Sequence, residues 1–252
     1  MSSATLIAPP QHQARTFVPW SVADSVSPLD SVLLPHLTPD DFYRLARDPE
    51  WQQAERTLCE TDPWYWRVNY VVTMDEHWAG KGFLSPYRRF PPLLHLRSYT
   101  YVLWRYLLTA FPKSRQRLAS WEAITQMYGD GIFTGGRLYM LQSKGERDAK
   151  KLLGRVKGVD ARLRDMAPWL VPDLVKDTET ELGWSNGSTM MAVPQGAHYV
   201  QSHTPAWLLM DEAQLQDEAK AAYEAALPAC ERITLVGTAE YGWFYQTLLA
   251  DN

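Results

Sequence analysis

From about residue 105 the chain alternates between short apolar runs and amphipathic stretches, and this restricts the fold more than any other feature. "RYLLTAF" reads as a strand and the segment from Ser120, "SWEAITQMY", as a helix. "GRLYMLQS" is a strand. "GERDAKKLLGRVKGV" is a helix, with Ala149, Leu152, Leu153 and Val156 at helical spacing. "AWLLMDEA" is a buried strand ending in two acids, "QLQDEAKAAYEAAL" a helix, "ERITLVGTAEY" a strand, and "GWFYQTLL" opens a last helix. Strands that alternate with helices pair in parallel and are covered on both faces, so the expected class is α/β with a mostly parallel central sheet. Two segments break the rhythm. "ELGWSNGSTMMAVP" carries "NG" between extended stretches, a hairpin signal, and "ARLRDMAPWLVPDLV" reads as a helix interrupted by Pro168.

The first hundred residues are less regular. Residues 1–37 are rich in Pro and Ser without a sustained period and read as an arm. "LTPDDFYRLARDPEWQQAERTL" carries a helix start at Thr38, with Pro39 next and acids in the first turn. "DPWYWRVNYVVTMDEHW" is aromatic and mixed, "GKGFLSPYRRFPP" a loop, and "LLHLRSYTYVLW" a short helix. We divide the chain into an extension with a helix over 1–60 and a main domain over 61–252. With 252 residues and 46% hydrophobic content, the chain can bury a large core. No apolar run approaches the roughly 18 residues that span a bilayer, and the N-terminus does not read as a signal peptide. Two distant cysteines, Cys59 and Cys230, argue against a disulfide framework or a zinc site and for a reducing compartment. A net charge of −4 weighs against a surface that grips nucleic acid as a whole. The basic clusters "SPYRRF", "KSRQR" and "KGERDAKKLLGRVKG" read first as solvated faces, and the eleven tryptophans as packing.

Chemistry concentrates at two places. "WLLMDEA" ends an apolar strand in Asp211 and Glu212, the arrangement in which one acid holds Mg²⁺ and the next orients an attacking water. The bland alternative is a buried strand whose acidic end caps the next helix. "VVTMDEHW" offers a similar pair, Asp75 and Glu76, but ahead of any phosphate loop, and it reads as structural. "FPKSRQRLASW" occupies a strand–loop–helix setting, yet it departs from G-x-x-x-x-G-K-S/T. Ser120 aligns with the closing hydroxyl, Ala119 with the lysine, Leu118 with the second glycine and Lys113 with the first. Ser120 can supply a hydroxyl for Mg²⁺, and Lys113 or Arg115 a cation for phosphate, Arg115 with a planar fork that suits phosphate oxygens. The missing glycines count against the loop, because such turns often need positive φ.

Taken together, "PKSRQRLASW", "GRLYMLQSKGERDAKKLLGRV", "LGWSNGSTMMAVPQGAHYVQSHTPAWLLMDEAQLQDEA" and "ITLVGTAEYGWFY" resemble the ATPase domain of the large terminase subunit of tailed bacteriophages. The likeness runs from about residue 105 to 245 and more weakly back to about 60. It implies a RecA-like P-loop ATPase with a small lid subdomain and an N-terminal extension. The cofactors would be ATP and Mg²⁺, the activity packaging of double-stranded DNA in the host cytoplasm. The implied partners are the DNA, a portal protein and a small terminase subunit, with a ring of copies when assembled and a monomer alone. By the same likeness Lys113, Ser114, Arg115, Gln116, Arg117, Leu118, Ala119, Ser120 and Trp121 bind nucleotide, with Arg115 the main phosphate contact. Ser120 and Asp211 hold the metal and Glu212 is the catalytic carboxylate. Thr238, in the "GTA" coupling motif, senses the terminal phosphate.

Two departures matter. Gln201 stands where many relatives place an arginine that acts on a neighbour's nucleotide, which leaves Arg155, Arg162 and Arg164, or a second protein, to supply that charge. The chain also carries no stretch that reads as the nuclease domain of such subunits, and we read it as an ATPase piece cut from a longer protein, a split gene product being the alternative. Two rival readings stay open. One is a module that docks portal or small subunit without hydrolysing ATP alone. The other is a helicase-like translocase, for whose second lobe there is no room. The adenine contacts are sought near Phe90 to Arg97.

Overall fold

Each of the first three helices begins with a capping side chain followed by proline, and this local chemistry fixes their boundaries. The computed structural model describes residues 38–74, 80, 86–112, 118–238, 240 and 242–249. α1 (Pro39–Leu45), α2 (Pro49–Thr61) and α3 (Pro63–Tyr70) are capped by Thr38, Asp48 and Asp62, whose side chains accept from the N–H groups of Asp41, Glu50, and Trp64 and Tyr65 respectively. Proline at the first helical position lacks only an N–H that would go unpaired, and its φ already suits the helix. The single helix expected after Thr38 is therefore two, because Pro49 starts a new one. β1 (Val72–Met74) and β2 (Tyr87–Arg89) form an antiparallel pair of their own. α4 (Leu94–Arg105) follows.

The expected alternation then appears. β3 (Leu108–Pro112), α5 (Ala119–Thr134), β4 (Leu138–Ser143) and α6 (Glu146–Met166) come in sequence. A 3-10 turn at Pro168–Leu170 leads to β5 (Leu174–Asp177), β6 (Glu181–Trp184) and β7 (Thr189–Pro194). α7 (Ala197–Gln201), β8 (Trp207–Asp211), a 3-10 turn (Ala213–Leu215), α8 (Ala219–Ala226), β9 (Arg232–Gly237) and α9 (Trp243–Leu249) complete the order. Seven strands form one sheet in the order β3-β9-β8-β4-β7-β6-β5. β3 through β7 pair in parallel, and β6 and β5 are added antiparallel. The α/β class with a mostly parallel sheet holds. The stretch around Pro168 is the part misread: α6 stops at Met166, and "LVKD" is an exposed edge strand rather than helix.

Side chains along the strands alternate between two apolar clusters, as strand geometry requires. Trp207 and Leu209 of β8 face one cluster, with Tyr139, Leu141 and residues of α5 and α6. Leu208 and Met210 face the other, with Ile233, Leu235, Val200 of α7 and Ala219, Ala222 and Ala226 of α8. The central strands are thus dry on both sides, which is why they read as continuous apolar runs. The first cluster also takes in Phe42, Cys59, Trp66 and Leu96 from α1 to α4, so these helices share its core. Trp66, Trp184 and Trp207 are fully buried, in keeping with packing rather than base stacking.

The "NG" hairpin forms between β6 and β7. Gly187 takes φ +86, and the Asn186 amide donates to the carbonyls of Gly131 and Ile132 at 2.9 and 3.2 Å, pinning the turn to the end of α5. Two lysines of α6 reach the other end of β6, at the connection from β5. Lys150 pairs with Glu146 and Glu179, Lys151 with Asp148, and Lys157 with Asp177. These three lysines form a solvated, paired face.

One charged contact is deeply buried. Arg67 of α3 donates to Glu122 and Gln126 of α5 and to Thr100 of α4, with Arg67 and Glu122 0% and 1% exposed. Burial pushes the Glu122 carboxyl up and the Arg67 guanidinium down from their ordinary ranges. Removing one partner of such a pair leaves a charge without compensation, at a cost of about 3–5 kcal/mol. Arg67→Met is expected to lose about that much stability in a denaturant titration. Arg67→Met combined with Glu122→Leu is expected to recover most of it.

Candidate functional site

Parallel strands lie about 4.8 Å apart, so β9 sets β3 and β8 roughly 10 Å from one another. Their carboxyl ends lead to opposite faces of the sheet, β3 to α5 and β8 to α8. A crevice at the carboxyl ends of parallel strands, where connections diverge, is the general ligand position of open α/β sheets. Ser120, Asp211 and the end of β9 come together there.

Ser120, in the first turn of α5, donates its hydroxyl to Asp211 Oδ1 at 2.6 Å, with both residues buried. The pairing joins two segments 91 residues apart. Asp211 is the last residue of β8, and its backbone carbonyl accepts from Gln216 Nε2 at 2.9 Å. Glu212 follows with φ 52 and ψ 42, a left-handed conformation that non-glycine residues seldom adopt. Its side chain is 39% exposed and ion-paired with Lys144 at 2.9 Å.

The second left-handed residue is Leu118, at φ 59 and ψ 11. It stands where the sequence alignment puts the second glycine of a phosphate loop. Sequence counted the missing glycine against the loop, but the backbone adopts the positive φ without it. Such a conformation in leucine costs on the order of 1–3 kcal/mol and persists only where surrounding structure holds it. Leu118, the N-cap residue of α5, makes no side-chain cap to the N–H groups of the first turn. Lys113, Ser114, Arg115, Gln116 and Arg117 lie outside the described residues. Ala119 is buried in the core, and Trp121 is half-buried beneath the Arg155 guanidinium, 5.3 Å from its ring centre.

β9 ends at Gly237, opposite Pro112 of β3 and one step from Thr238, which is half-buried. A Cβ on Gly237 would stand 2.4 Å from Gln214 Oε1 and 3.0 Å from Phe244, so a larger residue would have to displace the Gln214 side chain. Gln214 belongs to the turn after the acid pair and Phe244 to α9. The acid turn, the end of β9 and α9 are therefore in direct contact. Asp75 and Glu76 lie outside the described residues, but the strand leading to them, β1, belongs to the separate two-stranded pair.

The arginines considered for a neighbour's site differ in their surroundings. Arg164 is bound to the buried Asp160 and to the Pro172 carbonyl. Arg162 lies over the Tyr87 ring at 3.9 Å and donates to its hydroxyl. Arg155 lies beside the first turn of α5. Gln201 ends α7 and is exposed. In the segment considered for adenine, Phe90 is fully buried, with the Arg67 guanidinium over its ring, and so presents no face to a base.

The donor set suits Mg²⁺. A hydroxyl and carboxylates are hard oxygen ligands, and Mg²⁺ is usually held by one or two carboxylates together with substrate phosphates. Among the described residues no group of three or more His, Cys, Asp or Glu could hold a metal ion. The two residues sequence reasoning missed are Lys144 and Gln214. No helix among the described residues is long and apolar enough to cross a membrane.

No protein-family model matches the chain, and no curated protein does. Solved structures similar to it include the large terminase ATPase domain of Thermus phage P74-26, at 14% identity and TM-score 0.46, over 60% of this chain and 68% of that one. A point variant of the same domain gives 16% identity and TM-score 0.47 over the same shares. The large terminase of bacteriophage HK97 is similar at 9% identity and TM-score 0.46, over 61% of this chain and 34% of that one.

Proposed function

We propose that residues 61–252 form a RecA-like P-loop ATPase domain of the large-terminase kind, which hydrolyses ATP with Mg²⁺ to drive double-stranded DNA into a procapsid. The observation that carries this reading is the buried Ser120–Asp211 bond, which joins the two motifs that a P-loop ATPase needs side by side. The four ordered sequence motifs support the terminase assignment, and the left-handed Leu118 supports a phosphate loop built without glycine.

On this reading Ser120 and Asp211 hold Mg²⁺, which when bound neutralises developing charge on the phosphates. The loop from Lys113 to Trp121 cradles the phosphates with backbone N–H groups and the start of α5, and Arg115 provides the fork that spans two phosphates. Glu212 orients the water and takes up its proton. Thr238 reads the terminal phosphate, and the contact of Gly237 with Gln214 and Phe244 carries the change toward α9. The working partners are DNA, portal and small subunit, in a ring of copies in the host cytoplasm. With Gln201 neutral, the chain alone is a monomer of weak activity, since an arginine finger is worth roughly 10³–10⁵ in rate.

A second reading, a docking module that does not hydrolyse ATP, is favoured by one observation: Lys144 already occupies the Glu212 carboxylate. Steady-state phosphate release by the purified chain, with and without double-stranded DNA, separates the two. The motor reading expects slow, Mg²⁺-dependent turnover. Release at the buffer rate by folded protein, under both conditions, supports the docking module.

A further inference from the structure

The Lys144–Glu212 pair lies at the centre of the proposed site, yet no motif assigns it. Lys144 follows β4, which lies next to β8 on the side away from β9 and β3. Its ammonium therefore reaches the acids from the flank opposite β3 and β9. Both ends of the contact are anchored in the backbone. Gln142, buried at the end of β4, donates to the carbonyls of Pro194 and Gly196 at 3.2 and 3.3 Å. Glu212 is fixed by its left-handed backbone and by the Leu215 N–H, which donates to its carbonyl at 2.8 Å. Only the two side chains are free to part. Each is 39% exposed, and an ion pair so exposed is weak and readily exchanged. The hydrogen bond that Lys144 donates to Glu212, then the charge of Glu212, raise the ammonium above its ordinary range, with Asp148 and Asp211 adding to the effect. The lysine thus stays charged and within the field of the metal acid.

The ammonium engages one oxygen of the Glu212 carboxylate and offsets its charge, which makes the group a weaker base toward an attacking water. A phosphate carries more charge than one carboxylate and offers more acceptor oxygens. We propose that Lys144 is a second contact to the terminal phosphate beside Thr238: it holds Glu212 in the nucleotide-free site and passes to the phosphate when a nucleoside triphosphate binds, which frees Glu212 for water. This rests on the ATPase reading above. It also places a cation at the reacting end of the nucleotide in a chain with Ala119 at the loop-lysine position and Gln201 at the finger position.

The test is the affinity of the full chain for a non-hydrolysable ATP analogue and for ADP, each with Mg²⁺, in wild type, Lys144→Met, Lys144→Arg, Glu212→Gln and the Lys144→Met, Glu212→Gln double variant. Lys144→Met is expected to weaken the analogue roughly ten- to a hundred-fold, as for loss of one charge-assisted bond, and to leave ADP unchanged. Lys144→Arg is expected to restore most of the preference for triphosphate. Glu212→Gln releases the lysine and is expected to tighten the analogue roughly 1.5- to 5-fold, a gain that disappears in the double variant. A lysine that only positions Glu212 would change turnover and leave the triphosphate-to-diphosphate ratio at its wild-type value in Lys144→Met, and that result overturns the proposal. Wild-type protein that binds neither nucleotide overturns the ATPase reading and the proposal together, an outcome distinct from an unchanged ratio.

Discussion

Glu212→Gln is expected to bind nucleotide at least as well as wild type and to lose turnover by about 10²–10⁴-fold, the usual contribution of a positioned base. The amide keeps the size of the side chain and its place in the left-handed turn, so the backbone at φ 52 has no reason to move. It cannot accept the proton of the attacking water. Steady-state phosphate release, read beside a binding titration, separates the two effects. The side chain is partly exposed, so stability should change little. Asp75→Asn and Glu76→Gln serve as controls, because the strand before them belongs to the separate antiparallel pair. Wild-type rates in Glu212→Gln would remove the residue from the mechanism and leave the docking reading ahead.

Asp211→Asn is expected to be as damaging, by a different route. Asp211 ends a fully buried strand and accepts the Ser120 hydroxyl at 2.6 Å. An amide there takes away the anionic ligand that Mg²⁺ requires. A metal ion at a phosphoryl group is worth several kcal/mol of transition-state stabilisation, or about 10³-fold in rate. Turnover should fall by about that factor, and the remaining rate should no longer respond to Mg²⁺ concentration. Ser120→Ala keeps the carboxylate and should shift the Mg²⁺ concentration for half-maximal rate upward while keeping a response. If Asp211→Asn titrates with Mg²⁺ as wild type does, the metal is held elsewhere.

The sequence carried the parts of the fold that depend on local periodicity. β4, β8 and β9 are apolar because both faces of the sheet are covered there, and α6 repeats at helical spacing. Asn186-Gly187 marked its turn because that turn needs positive φ. Other parts had no local mark. β5 is a short, exposed edge strand with no pattern of its own, and it forms by pairing with β6. α3 did carry a signal, Asp62 before Pro63, the same cap as at Thr38 and Asp48. The aromatic residues around it obscured the period. At the site, Ser120, Asp211 and Glu212 were legible because their chemistry is tied to the ends of elements. Lys144 was not: a lysine after a strand acquires meaning only when the sheet order sets β4 beside β8. Leu118 was legible as a misfit, and only the backbone shows that leucine adopts the conformation a glycine would have supplied.

The central claim is that the crevice between the ends of β3 and β8 holds a nucleoside triphosphate with Mg²⁺. Calorimetric titration of the purified chain with a non-hydrolysable ATP analogue, with Mg²⁺ and with chelator, tests it most directly. The account predicts one site per chain. Binding should weaken at least about tenfold without the metal, as one lost charge-assisted contact would give, and weaken more in Arg115→Ala than in Lys113→Ala. Heats equal to those of buffer, from protein whose circular dichroism shows it folded, would contradict it.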